Sequence, residues 1–245
     1  MSNQLSTSQR LQESLGNIIS GLKPGDRLPS EPKLAQQLGV SRATLREGMR
    51  TFETQGVIRR RQGAGTYVMQ PSPVIESGLE VLESIETLAK RIGLDVSMGE
   101  MRVTLRPAIA TEKQALELEG ENNIIHLARL IQADGRPAAY LIDILPEDII
   151  RPIELENAFS GSVLDMLLKR GTPELISSRC EITAVPASHD IARALQIQRG
   201  DVLLCFTAWL YSATGRIIDF SYSYFLPGYF RFHVVRRIGR QTLGL

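Results

Sequence analysis

The chain has 245 residues, of which 43% are hydrophobic and 22% charged, a composition ordinary for globular proteins and a length sufficient for two domains. The polar start MSNQLSTSQRLQES and the lack of about 18 consecutive apolar residues argue against a signal peptide and a membrane-spanning helix, so we expect a cytoplasmic protein. Two cysteines without a CxxC pair predict neither a disulfide framework nor a zinc site, and we expect no metal and no cofactor.

The net charge of +1 hides an uneven distribution along the chain. Residues 1–70 hold ten Lys and Arg against five Asp and Glu, whereas the remainder holds eighteen against twenty-two. A basic first third joined to a mildly acidic remainder indicates that one part binds a polyanion while the other does different work. A solvated charged surface gives the same counts, so charge alone leaves both interpretations open.

The first part of the chain predicts three short helices. The first ends near Gly21, the second begins at Ser30 and ends at Gly39, and the third begins with Ser41 as its cap. Apolar residues at helical spacing predict the buried face of the first helix, and these are Leu11, Leu15, Ile18 and Leu22.

The third predicted helix has a basic side. Arg42, Arg46 and Arg50 follow one another at four-residue steps, with Thr44 beside them, opposite an apolar stripe. Such a helix fits a major groove, and its first turn offers backbone N–H groups and a positive dipole end. The helix alone is equally typical of an amphipathic helix with a solvated basic side.

The next segment, GVIRRRQGAGTYV, predicts two short strands around a glycine-rich turn. Arg59, Arg60 and Arg61 lie on the first strand, and glycines in the turn allow the backbone to approach a phosphate closely. This pattern is typical of a wing, although an ordinary tight hairpin remains the alternative. Since neither GxxxxGK[ST] nor GxGxxG occurs, we do not predict a nucleotide-phosphate loop.

The segment GLKPGDRLPSEPKLAQQLGVSRATLREGMRTFETQGVIRRRQGAGTYV resembles the winged helix-turn-helix domain of the GntR family of transcriptional regulators, over nearly all of residues 5–69. The resemblance implies that the first turn of the third helix reads bases and that the wing enters the minor groove of operator DNA. Pro32 and Ala43 depart from the family pattern, so the operator sequence does not transfer. Together with the basic helix side and the wing, the resemblance predicts DNA contacts from Ser41, Arg42, Thr44, Arg46, Arg50, Arg60, Gln62, Gly63, Gly65 and Thr66.

The sequence predicts domain boundaries close to residues 69 and 98. Residues 1–69 form the winged domain, 70–97 a linker that contains a helix, and 98–245 a second domain. The linker helix is predicted from the spacing of Leu79, Leu82, Ile85, Leu88 and Ile92, and the second domain from a Thr111/Gln114 capping box and an Asp134-Gly135 hairpin turn.

An internal repeat organises the second domain. ALELEG at 115–120 is followed about eighty residues later by ALQIQRG at 194–200, and ADGR at 133–136 by ATGR at 213–216. Each copy predicts a helix, a strand, a hairpin turn and a strand, so we expect one antiparallel sheet built from two similar halves, unless the similarity of these short segments is chance.

Three further segments, RLIQADGRPAAYLIDILP, GSVLDMLLKRG and GRIIDFSYSYFLPGYFRFHV, resemble the UTRA domain of the HutC subgroup over about residues 80–237. The resemblance implies an α+β chain whose second domain is a chorismate-lyase-like antiparallel sheet with helices. It further implies a small-molecule effector that binds between the halves of the sheet. Because helix-turn-helix proteins usually bind two half-sites as symmetric dimers, we also expect a homodimer. The predicted effector-binding residues are Ser84, Glu86, Arg129, Ser162, Arg179 and Asp219.

These residue types suit a polar ligand, because a partly buried arginine and a helix N-terminus favour anions while Asp219 accepts hydrogen bonds. Structural roles remain open: each arginine can be a cross-strand ion-pair partner, Ser162 a helix cap, and Asp219 a solvent-facing side chain. Departures from phospho-sugar sensors at Glu86, Ile131 and Leu141, and FLPGY in place of YRGDR, predict an effector other than a simple sugar phosphate.

The sequence therefore predicts a DNA-binding transcriptional regulator, in the family's common habit a repressor, and not an enzyme. A lyase-like enzyme is one alternative, but His126, His189 and His233 stand alone, without HExxH, GxSxG or clustered carboxylates. A DNA binder without an effector, whose second domain only dimerises, is the other alternative.

Overall fold

A computed structural model of the chain describes residues 7–54, 56–61, 64–69, 75–157, 159 and 161–235. The chain divides into two compact units, one of Met1–Pro73 with Leu226–Tyr229, the other of Val74–Phe225 with Phe230–Leu245. Each unit buries its own apolar residues. Within the described ranges, none of the helices has the length and apolar content needed to cross a membrane.

The described residues of the first unit form three helices and a two-stranded antiparallel ribbon. The elements are α1 (Thr7–Ser20), α2 (Glu31–Leu38), α3 (Arg42–Thr54), β1 (Ile58–Arg61) and β2 (Gly65–Val68). Their core includes Leu11, Leu15, Ile19, Leu34, Leu45 and Met49, with Ile18 and Leu22 partly buried against it. This is the predicted winged helix-turn-helix.

Local signals set the helix ends in this unit. Gly39 ends α2 in the left-handed conformation with φ 65°, and Ser41 caps α3, since its Oγ accepts the Thr44 N–H at 3.1 Å. Ser30 occupies the cap position of α2 without a side-chain capping hydrogen bond. The two turns between these helices therefore follow the predicted residues.

A six-stranded antiparallel sheet with the order β4-β5-β6-β9-β8-β7 forms the centre of the second unit. The strands β4, β5 and β6 and the helix α5 form one half, and β7, β8, β9 and the helix α8 form the other; β6 pairs with β9 where the halves meet. The bounds are β4 (Val96–Pro107), α5 (Ala110–Leu116), β5 (Asn123–Ala133), β6 (Arg136–Pro146), β7 (Leu175–Pro186), α8 (His189–Leu195), β8 (Val202–Ser212) and β9 (Ile217–Phe225). The predicted sheet of two similar halves is confirmed.

The repeated sequence segments correspond to repeated local geometry. Glu117 ends α5 and Gln196 ends α8, both left-handed with φ 53° and 56°. The β5-β6 hairpin turns at Asp134 and Gly135, where φ is 49° and 69°. The recurring segments thus mark the helix ends and hairpins that give the two halves the same course.

Three further helices and a short parallel strand pair complete the described part of the second unit. The helices are α4 (Ile85–Ile92), α6 (Pro152–Asn157) and α7 (Val163–Arg170); β3 (Ile75–Gly78) pairs with β10 (Phe230–His233). Helix α7 begins after Ser162 and ends at Gly171, as predicted. Val163 and Leu167 of α7 belong to the same apolar cluster as Leu127 and Leu145 of the sheet.

Two local predictions are wrong. The linker helix begins at Ile85 after the cap Ser84 and not near Leu79; Leu79 and Leu82 are 40% and 52% exposed outside it. The spacing of these leucines fits a helix, but residues 75–78 pair as a strand and the cap at Ser84 sets the helix start.

The Thr111/Gln114 capping box is also wrong, because the Glu112 carboxylate caps α5 instead. It accepts the Ile109 N–H at 3.0 Å and forms a bidentate ion pair with Arg106 at 2.6 and 2.7 Å. Thr111 lies inside the first turn of the helix rather than at its cap.

Candidate functional site

The predicted basic side of α3 lies at the surface of the first unit. Ser41, Arg42, Thr44 and Arg46 are exposed, while Arg50 is half-buried with its Nη2 3.2 Å from the Glu47 carboxylate. Because the apolar stripe of the same helix is buried, Arg42 and Arg46 face solvent. This arrangement suits contacts with phosphates and base edges.

Glu31, at the start of α2, joins the basic helix to the wing. Its Oε2 lies 2.7 Å from Nε of Arg46, and its Oε1 lies 3.4 Å from Nε of Arg60. One carboxylate thus fixes two of the predicted DNA-binding arginines. Sequence analysis missed this role, because the contact joins residues of three separate elements.

The wing pairs Arg60 with Thr66 and Arg61 with Gly65 in the β1-β2 register. Arg60 is exposed, but Thr66 is only 7% exposed, so its side chain faces the interior of the unit. A DNA contact by Thr66 therefore rests on its backbone. Gln62 and Gly63 lie outside the described residues.

Gly65, the first residue of β2, lies directly against the side chain of Arg27. Its φ is 113°, and a Cβ at this position would lie 2.5 Å from Nε of Arg27. Only glycine fits without displacing that side chain. Arg27 therefore places an exposed guanidinium at the base of the wing. Sequence analysis did not predict this residue as part of the site, although it is the arginine of the loop KPGDRLPS.

Replacing Glu31 by glutamine is expected to weaken sequence discrimination while strengthening non-specific binding. The substitution removes a negative charge between Arg46 and Arg60 and frees both side chains. Affinity for a random-sequence duplex should rise. The slope of the logarithm of the binding constant against the logarithm of the salt concentration should become steeper by about one. Fluorescence anisotropy at several salt concentrations measures both quantities. Glu121→Gln, an equal change of charge at an exposed position in the second unit, should leave the salt dependence unchanged.

In the second unit, the starts of α4 and α7 are joined by hydrogen bonds. The Ser84 hydroxyl accepts the Thr87 N–H at 3.0 Å and donates to Asp165 Oδ2 at 2.6 Å. Ser162 Oγ accepts the Asp165 N–H at 3.0 Å. Both predicted serines therefore cap helices, and Asp165 holds the two N-termini together.

Arg129, on β5, is 3% exposed and faces these helix starts from the sheet. Its Nη2 donates to Asp143 Oδ2 at 2.7 Å, and its guanidinium carbon lies 5.4 Å from the ring centroid of Phe159. Nε and Nη1 of Arg129 have no hydrogen-bond partner among the described residues, and both atoms are buried. Within the described ranges, the N–H groups on these two nitrogens of a permanently charged group are thus available to a ligand.

Asp219, on β9, lies beside Asp143 and is fully buried. Its Oδ1 accepts the Ile144 N–H at 3.2 Å, and its carboxyl hydrogen-bonds the Asp143 carboxyl. Burial, and next the charge of Asp143, raise the pKa of Asp219 well above its usual range. The raised pKa favours the protonated form of Asp219, next to the ion pair between Asp143 and Arg129.

Glu86, in the first turn of α4, supplies a buried acceptor. Its Oε1 has no partner among the described residues and lies 3.1 Å from the position of a Cβ on Gly161. Burial raises the pKa of Glu86, and Arg129, Asp165 and Asp143 act on it electrostatically. We call the set Glu86, Arg129, Asp143, Asp165 and Asp219 the acid-arginine cluster.

Arg179 is not part of the acid-arginine cluster. Its side chain on the outer strand β7 is 67% exposed, pairs with Glu181 at 2.6 Å, and lies over the ring of Trp209. Trp209 packs against Phe220, which follows Asp219 in β9, and successive strand residues face opposite sides of a sheet. Arg179 therefore lies on the other face of the sheet from Arg129.

The structure brings together five of the six predicted effector residues, namely Ser84, Glu86, Arg129, Ser162 and Asp219. Sequence analysis missed Asp143, Asp165 and Phe159. A lone Asp within the otherwise apolar segment LIDIL was the available signal for Asp143. The three histidines lie on separate elements, His126 on β5, His189 on α8 and His233 on β10.

Asp219→Asn is expected to stabilise the second unit increasingly as pH rises. Above the ordinary aspartate pKa of 3.8, folded wild type retains a proton on Asp219 that the unfolded chain has lost, so its stability declines with pH up to the raised folded pKa. Asparagine keeps an acceptor for the Ile144 N–H and a donor for Asp143 but does not titrate.

The stability difference between Asp219→Asn and wild type should therefore grow as pH rises above about 4 toward the raised folded pKa, by at most about 1.4 kcal/mol per pH unit. Urea unfolding followed by fluorescence measures it, because Trp209 is the single tryptophan of the chain and lies in the sheet. Asp190→Asn, at an exposed position, serves as the control. A constant difference for Asp219→Asn would show that Asp219 is ionised in the folded protein.

The sequence matches two families that correspond to the two candidate sites. One is described as "Bacterial regulatory proteins, gntR family" and matches residues 7–68; the other is described as "UTRA domain" and matches residues 91–231. The chain therefore belongs to the GntR family of bacterial regulatory proteins and carries a UTRA domain. It is a DNA-binding transcriptional regulator with an effector-binding domain.

Relatives and solved structures agree with this assignment. The chain is 30% identical over 181 residues to the probable transcriptional regulator PhnF of Escherichia coli, covering 74% of each chain. It is 24% identical over 234 residues to the mannosyl-D-glycerate transport/metabolism system repressor MngR of the same species, covering 93% of each. The crystal structure of PhnF from Mycobacterium smegmatis shares the fold, with a TM-score of 0.63 at 21% identity, over 94% of this chain and 100% of that chain. Both Escherichia coli relatives are named as regulators, which favours a regulator over a lyase-like enzyme.

Proposed function

We propose that this regulator is a cytoplasmic homodimeric repressor whose affinity for its operator changes when a small molecule binds at the acid-arginine cluster. The observation that carries the proposal is Arg129, a buried arginine of the UTRA domain with two nitrogens that have no hydrogen-bond partner in the described part of the chain. A relative named as a repressor, MngR, supports repression as the outcome.

For the DNA-binding part, we propose contacts from the exposed first turn of α3 and from the wing. Arg42 and Arg46 are exposed on one side of α3, and Arg60 extends the same positive charge onto β1. The remaining proposed contacts are Ser41, Thr44, Arg50, Gln62, Gly63, Gly65 and Thr66. Positive charge on one side of a short helix and an adjacent ribbon is the usual arrangement for binding in a groove with phosphate contacts.

We propose that residues 1–69 act as the DNA-binding domain and 98–245 as the effector-binding and dimerisation domain, joined through 70–97. Two copies related by two-fold symmetry present two α3 helices to half-sites about 34 to 36 Å apart. Light scattering on the full chain should give twice the mass of one chain. A monomer that binds its operator with full affinity would contradict the homodimer.

For the effector part, we propose that the ligand contacts Arg129, Glu86 and Asp219, with the helix starts at Ser84 and Ser162 closing over it. The hydrogen bond from Ser84 to Asp165 joins these helix starts to each other, and Val163 and Leu167 pack α7 against the sheet. Arg179 was predicted for the same site, but we propose no effector contact for it, since it lies on the other face of the sheet.

The switch is tested with operator DNA selected from random duplexes and any compound that binds the full chain in calorimetry. We expect operator affinity, measured by fluorescence anisotropy, to change by about 5- to 150-fold at saturating compound. Unequal affinity is required, because a ligand shifts an equilibrium only through its preference for one state. Identical affinity with and without every bound compound would support a DNA binder without an effector.

A further inference from the structure

We infer that the effector is a small zwitterion, which carries a protonated nitrogen close to a carboxylate or a similar oxygen acceptor. This inference rests on the proposed function of the acid-arginine cluster and specifies the chemical class of its ligand. It follows from one set of unused donors, one unused acceptor and the charge balance around them.

The unused donors belong to Arg129. Its guanidinium is held in place by the Asp143 carboxylate at 2.7 Å and by the ring of Phe159, so it is fixed before any ligand binds. Nε and Nη1 are buried without partners among the described residues. Buried charged donors require acceptors, and a carboxylate is the partner that an arginine binds most strongly. One end of the effector is therefore an oxygen acceptor.

The unused acceptor belongs to Glu86. Its Oε1 is buried without a partner among the described residues, close to the backbone at Gly161. Desolvation of this carboxyl is unfavourable unless a donor approaches it, and a positively charged donor compensates most of the penalty. The other end of the effector is therefore a hydrogen-bond donor.

The charge balance decides between a charged and a neutral donor. The acid-arginine cluster contains four carboxyls and one guanidinium. Asp143 forms the ion pair with Arg129, whereas neither Glu86 nor Asp165 has an ion-pair partner among the described residues. Asp165 accepts its side-chain hydrogen bonds from the hydroxyl groups of Ser84 and Thr87. A hydroxyl of the effector would not offset the burial that raises the pKa of Glu86, whereas a protonated nitrogen beside Oε1 pairs with the carboxylate form of this side chain.

Among the described residues, the neighbours of Arg129 on the same face of the sheet are apolar and not a second cation. Leu141 lies opposite Arg129 in the β5-β6 register, and Ile131 is the next residue of β5 on the same face; both are buried. A phosphate group with two negative charges would be attracted by Arg129 but repelled by the neighbouring carboxyls of Glu86, Asp143 and Asp165. A zwitterion instead binds Arg129 through its oxygen acceptor and Glu86 through its protonated nitrogen, and it adds no net charge.

Calorimetry on the full chain tests the class with three sets of probes. These are the twenty standard L-amino acids, the α-hydroxy acid analogue of each one that binds, and N-acetylglucosamine 6-phosphate together with inorganic phosphate. We expect at least one amino acid to bind, and its hydroxy acid analogue to bind about 10- to 100-fold more weakly. The inference would be overturned if an amino acid and its hydroxy acid analogue bind with equal affinity, or if none of the amino acids binds. Tighter binding of either phosphate compound than of any amino acid would overturn it as well.

Glu86→Gln provides the matched variant, because it removes the charge and keeps the size of the side chain. It should weaken the amino acid by about 10- to 100-fold and leave the hydroxy acid within about threefold of its wild-type affinity. Glu100→Gln, on the exposed outer strand β4, is the control and should change neither. An unchanged preference for the amino acid in Glu86→Gln would contradict the assigned role, and Trp209 fluorescence checks that the variant is folded.

The two proposals fail in distinguishable ways. A sugar phosphate that binds and changes operator affinity overturns the zwitterion and leaves the proposed switch intact. An amino acid that binds with the expected preference but does not change operator affinity supports the zwitterion and contradicts the switch.

Discussion

Replacing Asp143 by asparagine is expected to lower the free energy of unfolding of the second unit by about 3 to 5 kcal/mol. Arg129 is 3% exposed, and Asp143 accepts its Nη2 hydrogen bond at 2.7 Å. Asparagine fills the same space but removes the carboxylate that is paired with the buried guanidinium. The loss is large for this reason, and not because the intact pair contributes that much stability.

Urea unfolding followed through Trp209 measures this loss, and the chain contains a matched control. Asp148 forms a bidentate ion pair with Arg216 at 2.6 and 2.7 Å, with side chains 62% and 44% exposed. Asp148→Asn should lower the free energy of unfolding by no more than about 1 kcal/mol, because water screens an exposed pair. Equal losses for the two variants would contradict the buried and charged state that we assign to Arg129.

Arg42→Ala is expected to lower operator affinity by about 1 to 3 kcal/mol, or about 5- to 150-fold. Arg42 is exposed in the first turn of α3, where a recognition helix presents its side chains to base edges. If the lost contact is to a base, affinity for a random-sequence duplex falls much less than affinity for the operator.

Arg193→Ala is the control for this measurement, because it removes the same charge from an exposed position on α8. Its operator affinity should equal that of wild type in fluorescence anisotropy. A uniform loss for Arg42→Ala on operator and random duplex alike would assign Arg42 to a phosphate. No loss on either duplex would exclude α3 from the DNA-binding surface.

Local sequence signals predicted the first unit and the plan of the sheet. Ser41 and Gly39 set helix ends through short-range hydrogen bonds and backbone conformation, and such signals are readable without tertiary structure. The repeat near Glu117 and Gln196 likewise predicted two similar halves. The linker helix was misplaced because spacing alone does not distinguish a buried helical face from the exposed leucines Leu79 and Leu82.

The candidate effector site was less accessible to sequence analysis, because contacts across strands depend on register. Arg129 and Asp143 meet only because β5 and β6 pair with Arg129 opposite Leu141. A shift of one residue would place Asp143 on the other face of the sheet. Arg179 shows the same dependence, since its alignment with Trp209 puts it on the face away from Arg129.

Selection of operator sequences from random duplex DNA by the full chain tests the central claim most directly, namely sequence-specific binding through α3. We expect wild type to enrich two half-sites related by two-fold symmetry, with centres about 10 to 10.5 base pairs or a multiple of this spacing apart. Arg42→Ala should lose the preference at the bases that Arg42 contacts. Enrichment no greater than for random sequence, or an identical sequence preference in the variant, would contradict the account.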